Sequence, residues 1–282
     1  MKNRIDGSLP IEPALALTAA EQGDWDANCD LLVVGLGAAG AAAAIAAKEA
    51  GLNVQVVDRF GMGGATAKSG GVVYAGGGTP HQRKAGYEDT PEAMFEYLRL
   101  ETGEAVSDAT LRRFCEDSRG LLAWLESLGA SFESDTPPPK TSYPKNGTYL
   151  YFSGNETVSP YSDAAKPAPR GHRTVDKGLS GKKLFSYLRD RVDALGIPVT
   201  AQAAVRRLIT DGETGEVLGA EVWQMPADAP ATKKHARLIR RADTIHNVAP
   251  GMADRMRIKA TALELATAKP RRIRALRGVV LA

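Results

Sequence analysis

The stretch DLLVVGLGAAGAAAAIAAKEAGLNVQVVD, residues 30–58, decides the fold. Residues 30–34 and 54–57 are short apolar runs without alternation, the pattern of strands buried on both faces of a parallel sheet. Between them residues 38–50 are almost all alanine, the strongest helix former, and Gly51 supplies a stop. A strand, a helix and a strand within about thirty residues make a βαβ unit. The expected fold class is therefore α/β, with a Rossmann-like parallel sheet.

Gly35, Gly37 and Gly40 form a GxGxxG between the first strand and the helix, the context in which that motif has a mechanism. Gly35 permits the tight turn, Gly37 lets a pyrophosphate approach the backbone, and Gly40 lets the helix pack close to the sheet. The helix start offers N–H groups and a partial positive charge to phosphates. Asp58 ends the second strand, where a carboxylate can accept both hydroxyls of an adenosine ribose. The competing reading makes Asp58 the start of a turn and the glycines packing devices.

A second glycine block follows at residues 61–78. A nicotinamide-binding protein has no need of one there. Gly63, Gly64, Ala65, Thr66, Ser69, Gly70 and Gly71 could supply a further helix start or a nest of amides for a flavin's pyrophosphate, ribityl chain or ring, with small residues letting the planar ring lie against backbone. FAD is the expected cofactor. A flexible glycine loop without a ligand is the alternative.

With these phrases in place, residues 30–78, including VVGLGAAGAAAA, VVDRF and GGATAKSGGVVYAGGGT, resemble the FAD-binding half of the fumarate reductase/succinate dehydrogenase and ketosteroid dehydrogenase flavoproteins. DRFGMGGATAKSGGVVYAGGGT is most similar to the bacterial 3-ketosteroid dehydrogenases acting on the 4-ene position of 5α-steroids. By position the resemblance implies FAD contacts from Gly35, Ala38, Ala39, Gly40, Asp58, Arg59, Gly64, Ala65, Thr66, Ser69, Gly70 and Gly71, and a main-chain contact of Val205 with adenine. Most relatives carry Glu where Asp58 stands, and the shorter side chain implies a small main-chain shift. It also implies oxidoreductase chemistry at a C–C bond beside a carbonyl: a base takes a proton from one carbon while the flavin accepts hydride from its neighbour. A 3-ketosteroid is the expected substrate, and a fumarate-like unsaturated acid is the second choice. In the family a strand like residues 278–282 leads into a Gly-Gly turn and a substrate domain, so the chain is expected to be an incomplete FAD-binding domain. A catalytically inactive module is the competing class, and an NAD-binding Rossmann protein is another. Tyr149, Tyr151 and His172 could reach a substrate, but no residue is assigned a catalytic role and no metal site is expected.

The rest of the chain is read as an N-terminal extension (1–28), then the FAD-binding domain (29–282), with an irregular stretch at 131–180 and a basic helical insertion at 230–275. Helices are expected after Thr90 and Ser107, the second with Leu111, Phe114, Leu121, Leu125 and Leu128 inward and a possible break at Gly120. Residues 131–180 hold seven of the sixteen prolines and no sustained period. Ser180 caps a further helix, and residues 199–210 and 217–223 are strands around a hairpin signal at 211–215. A basic helix is expected at 232–248 with Leu238, Ala242, Ile245 and Ala249 on one stripe, and a second helix at 253–269.

The net charge of +3 conceals thirteen Lys/Arg against three acids in residues 233–277. A solvated helical hairpin is the plain reading of that stretch, and peripheral contact with an anionic membrane is the second. Nucleic acid is not expected, because no aromatic residue follows Trp223 to stack on bases. No apolar run reaches the ~20 residues that span a bilayer, and charges interrupt any signal-peptide core, so the cytoplasm is the expected compartment. Cys29 and Cys115 are expected to be free, buried thiols.

Overall fold

The computed structural model describes residues 8–134 and 137–282. Residues 1–7 of the expected extension, and Asp135 and Thr136 of the proline-rich stretch, lie outside the described residues. The chain begins with β1 (Leu15–Leu17), β2 (Ala27–Val34), α1 (Ala38–Glu49), β3 (Val54–Asp58) and α2 (Gly64–Lys68). It continues with β4 (Val72–Tyr74), α3 (Pro80–Lys84), α4 (Pro91–Thr102), α5 (Asp108–Ser127), β5 (Leu150–Tyr151), α6 (Tyr161–Ala164), β6 (Gly171–Arg173) and α7 (Gly181–Ala194). It closes with β7 (Val199–Ala201), β8 (Ala203–Asp211), β9 (Val217–Gln224), α8 (Pro230–Ile245), α9 (Pro250–Thr267) and β10 (Lys269–Leu281). Two compact units result: residues up to 64 together with 189–282, and residues 65–188.

The first unit carries a seven-stranded sheet in the order β1-β8-β9-β10-β2-β3-β7. Strands β10, β2, β3 and β7 run parallel, with α1 as the crossover between β2 and β3. Cys29, Leu32, Val57, Ala220, Val222, Ile273 and Ala275 form one core cluster on this sheet. The other side of the sheet is the antiparallel β8–β9 hairpin, where Asp211 Oδ1 accepts the Glu213 and Thr214 amides at 2.8 Å.

Several expectations change here. Residues 15–17, assigned to an extension, pair with Ile209, Thr210 and Asp211 and extend the sheet at its edge. The last strand begins at Lys269 rather than Gly278, so the inserted helices end at Thr267 and Arg271, Arg272, Arg274 and Arg277 lie on strand. Its first half pairs antiparallel with β9 and its second half parallel with β2, across an irregularity between Ala275 and Gly278. Two pairing neighbours outweigh the local charge that suggested helix. The single strand expected at 199–210 is two, because Gln202 takes a φ of 54° and turns the chain between them. In α8 the buried stripe is Thr232, His235, Ile239 and Ala242, rotated from the expected one.

The second unit holds a three-stranded antiparallel sheet, β4-β6-β5, of which β5 and β6 lie within the stretch that reads as irregular. The Thr90 and Ser107 side chains accept the Ala93 and Thr110 amides, and such caps contribute about 1 kcal/mol each. Gly120 does not break α5, which buries Leu111, Cys115, Ser118, Leu122 and Leu125, while Phe114 and Leu121 are exposed. Both cysteines are free and buried.

Candidate functional site

In an open α/β sheet a ligand sits beyond the carboxyl ends of the strands, where the chain path reverses. Here that place lies between β2, which leads through α1 to β3, and β10, which returns on the other side. Gly35 leaves β2 with a φ of 95°, and Gly37 is the cap residue of α1. The cap is glycine, and no acidic residue stands in the first turn of α1, which begins with Ala38, Ala39 and Gly40. The turn admits no side chain. A Cβ on Gly35 would stand 2.2 Å from the Ala282 carbonyl oxygen, and one on Gly40 would stand 2.0 Å from that of Gly35.

Asp58 ties this turn to the next loop. Its Oδ2 accepts the Leu36 amide at 2.9 Å, and its Oδ1 accepts those of Phe60 at 2.8 Å and Met62 at 3.2 Å. The Gly63 amide then donates to the Leu36 carbonyl at 2.7 Å. The helix mouth, the carboxylate and the start of the second glycine block are thus one hydrogen-bonded assembly. A carboxylate has about four lone-pair sites, and three backbone amides occupy most of those on Asp58. Arg59 turns to α9, donating to Glu264 Oε2 and Thr261 Oγ1, each at 3.1 Å. Val205 lies on β8, where the ladder to β9 shifts between Val205 and Arg207.

Ala65, Thr66, Ser69, Gly70 and Gly71 belong to the second unit. Gly64 and Ala65 begin the single turn α2, and Ser69 donates its hydroxyl to the Thr66 carbonyl while accepting the Gly71 amide. The loop lies flat on the start of α7: a Cβ on Gly71 would meet the Ser180 carbonyl carbon at 2.5 Å, and one on Gly181 the Thr66 oxygen at 2.3 Å. Gly76–Gly78 serve a different purpose. They let the chain pass Asp89, whose Oδ2 a Cβ on Gly76 would meet at 2.7 Å.

Of the three residues read as able to reach a substrate, Tyr149 is half-buried, its ring centroid 5.8 Å from the Arg173 guanidinium, and the other two are core residues. His172 is fully buried, bonded to Thr79 Oγ1 and the Arg170 carbonyl, and burial pushes its imidazole down to about 4. It is a neutral core residue. Tyr151 is also buried, and burial raises its phenol. The sequence reading missed Gln202, His235 and Glu264, although Glu264 stands out as the lone acid near the end of a basic segment.

The mouth of α1 suits the phosphate and ribose end of a dinucleotide, with a glycine cap at the helix start and a carboxylate beside it. Residues 30–282 match the FAD binding domain family. The chain belongs to that family. FAD is accordingly its cofactor, and its relatives are flavin-dependent oxidoreductases. It is 45% identical over 241 residues to the 3-oxo-5-alpha-steroid 4-dehydrogenase of Comamonas testosteroni, covering 84% of this chain and 45% of that protein. It is 31% identical over 235 residues to a probable fumarate reductase of Shewanella frigidimarina, covering 76% of this chain and 35% of that one. The crystal structure of a 3-ketosteroid-delta4-(5alpha)-dehydrogenase from Rhodococcus jostii superposes with a TM-score of 0.76 at 30% identity, over 95% of this chain and 48% of that one. This member of the FAD binding domain family therefore spans about half the length of these relatives or less. Among the described residues no helix is long and apolar enough to cross a membrane.

Proposed function

We propose that the protein carrying this chain is an FAD-dependent dehydrogenase that introduces a C=C bond beside the ketone of a 3-oxo-5α-steroid. The observation that carries the reading is the assembly of Leu36, Asp58 and Gly63 at the mouth of α1, in a chain 45% identical over 241 residues to the steroid 4-dehydrogenase. In it the amides of Gly37, Ala38, Ala39 and Gly40 receive the pyrophosphate, Asp58 accepts a ribose hydroxyl, and the Val205 main chain meets adenine. Arg59 and the segment containing Gly63, Gly64, Ala65, Thr66, Ser69, Gly70 and Gly71 complete the contacts. Bound FAD supplies the hydride acceptor. This chain's residues orient it and keep side chains from the ring. Purified protein is expected to be yellow and to reduce an artificial dye when given a 3-oxo-5α-steroid. Protein without flavin, or protein that reduces fumarate and ignores the steroid, contradicts this assignment. The likeness to the fumarate reductase supports reduction of an unsaturated acid as the second reading.

A peripheral lipid contact suits such a substrate. Helices α8 and α9 pack together, the turn between them exposes Val248 at 88%, and the first turn of α9 exposes Met252 at 55%. Arg240, Arg241 and Arg255 are exposed on the adjoining turns. An apolar tip among cations fits anionic headgroups. The protein is expected to sediment with phosphatidylserine vesicles and not with neutral ones, and to lose that binding in a Val248→Asp/Met252→Asp variant. Equal sedimentation with both vesicle types would rule this contact out.

A further inference from the structure

We propose that the inserted pair α8–α9 is a clamp for the adenosine end of FAD, acting through Glu264 and His235 on Arg59 and Phe60. The proposal rests on the reading that Asp58 and Arg59 face that end of the cofactor.

Arg59 and Phe60 directly follow Asp58 at the carboxyl edge of β3. Arg59 is held by Thr261 and Glu264, three residues apart and so on one face of α9. The other oxygen of Glu264 lies 2.6 Å from His235 Nε2, on α8. His235 Nδ1 lies 2.9 Å from Gln202 Nε2, and that amide nitrogen also donates to the Thr232 carbonyl at 2.8 Å. An amide nitrogen only donates, so Nδ1 accepts and Nε2 carries the proton given to Glu264. Gln202 returns the path to its start, because its own backbone amide donates to the Phe60 carbonyl. The Arg59 guanidinium lies 4.6 Å from the centroid of the Phe60 ring, which runs parallel to the His235 imidazole at 6.1 Å. The result is a closed circuit from strand edge to helices and back.

Burial grades along this circuit. The His235 and Glu264 side chains are 1% and 5% exposed, and that of Arg59 is 27% exposed. The dry end is anchored in the helices, and the partly open end stands beside the ribose carboxylate. A buried carboxylate needs its partners, since losing one leaves an uncompensated charge. Glu264 also acts electrostatically on Arg206, a buried guanidinium whose Nε has no hydrogen-bond partner among the described residues and which repels Arg59. Removing the Glu264 charge would set those two cations against each other and release Arg59. A hairpin needed only for bulk would pack through apolar contact. This one spends its buried polar groups at the strand edge, where preorganising Arg59 lowers the ordering cost of binding.

The test is binding of FAD, and separately of ADP as the adenosine half, to the purified apo chain, with thermal unfolding measured in parallel. Glu264→Gln is expected to raise both Kd values about tenfold, the effect of one charge-assisted hydrogen bond. Arg59→Gln should do the same, and the double variant should be no worse than either single one. Thr261→Val removes the second anchor of Arg59 at nearly constant shape. It should raise both Kd values about threefold at an unchanged Tm, which keeps the test decisive if Glu264→Gln does not fold. Wild-type affinity in Thr261→Val, or Glu264 and Arg59 effects that multiply in the double variant, overturns the clamp alone. Wild-type chain that takes up neither FAD nor ADP overturns the cofactor site beneath it.

Discussion

Gly40→Ala is expected to cost about 3 kcal/mol or more of stability and to abolish FAD binding. Overpacking a core with an extra methylene costs about 1–3 kcal/mol when side chains can yield. Here the obstacle is backbone: the new Cβ would lie 2.0 Å from the Gly35 oxygen, 3.1 Å from its carbon and 3.3 Å from the Ala282 Cβ. Gly35 cannot retreat, because its amide donates to Val57 at 2.8 Å, while Ala282 donates to Val34 at 2.9 Å and Gly63 to Leu36 at 2.7 Å. Helix α1 must therefore tilt off the sheet, which moves the amides of Ala38 and Ala39 from the phosphate position. Gly51→Ala is the matched control. It has a φ of 87° but no atom within 4 Å of the new Cβ, so it should cost about 1–2 kcal/mol of backbone strain and leave the flavin bound. Chemical denaturation and flavin retention on gel filtration read both outcomes. A Gly40→Ala protein that keeps its flavin would refute this account of the motif.

The unit β2–α1–β3 was legible because each local signal in residues 30–58 agrees with its neighbours: apolar runs, alanines, glycines and a terminal carboxylate. The first part of β10 was not, because a segment with Arg271, Arg272 and Arg274 becomes strand only when β9 and β2 are there to pair with it. The rotation of α8 has the same cause. Burial of His235 depends on Glu264 and Gln202, residues 29 and 33 positions away in the chain, and no helical period reports that. For the site, glycine spacing was enough to bring Gly35, Asp58 and Gly63 together. It could not foresee that Asp58, one methylene shorter than Glu, would give three of its acceptor positions to the backbone. It assigned no role to Gly76–Gly78, which make room for Asp89.

Asp89→Ala should destabilise the second unit by about 3–5 kcal/mol, the usual cost of removing one partner from a buried ion pair. The Asp89 side chain is wholly buried and that of Arg170 nearly so. Arg170 grips Asp89 with Nε at 3.0 Å and Nη2 at 2.8 Å, a two-pronged geometry. The same carboxylate accepts the Gly77 amide at 2.9 Å and Gln82 Nε2 at 3.0 Å. Alanine would strand a guanidinium and two donors in the interior and free the glycine run 76–78. Since domains hold only about 5–15 kcal/mol in total, urea denaturation should show the loss as a large fall in midpoint, or as an early separate transition of residues 65–188. The double change Asp89→Ala/Arg170→Met should recover much of it, because no buried charge is left unpaired and a flexible apolar chain fills the space beside Tyr97. If the double variant is no more stable than Asp89→Ala, the loss comes from the amide contacts rather than the stranded charge. In that case Asp89→Asn, which keeps an acceptor for Gly77, should restore what Arg170→Met does not.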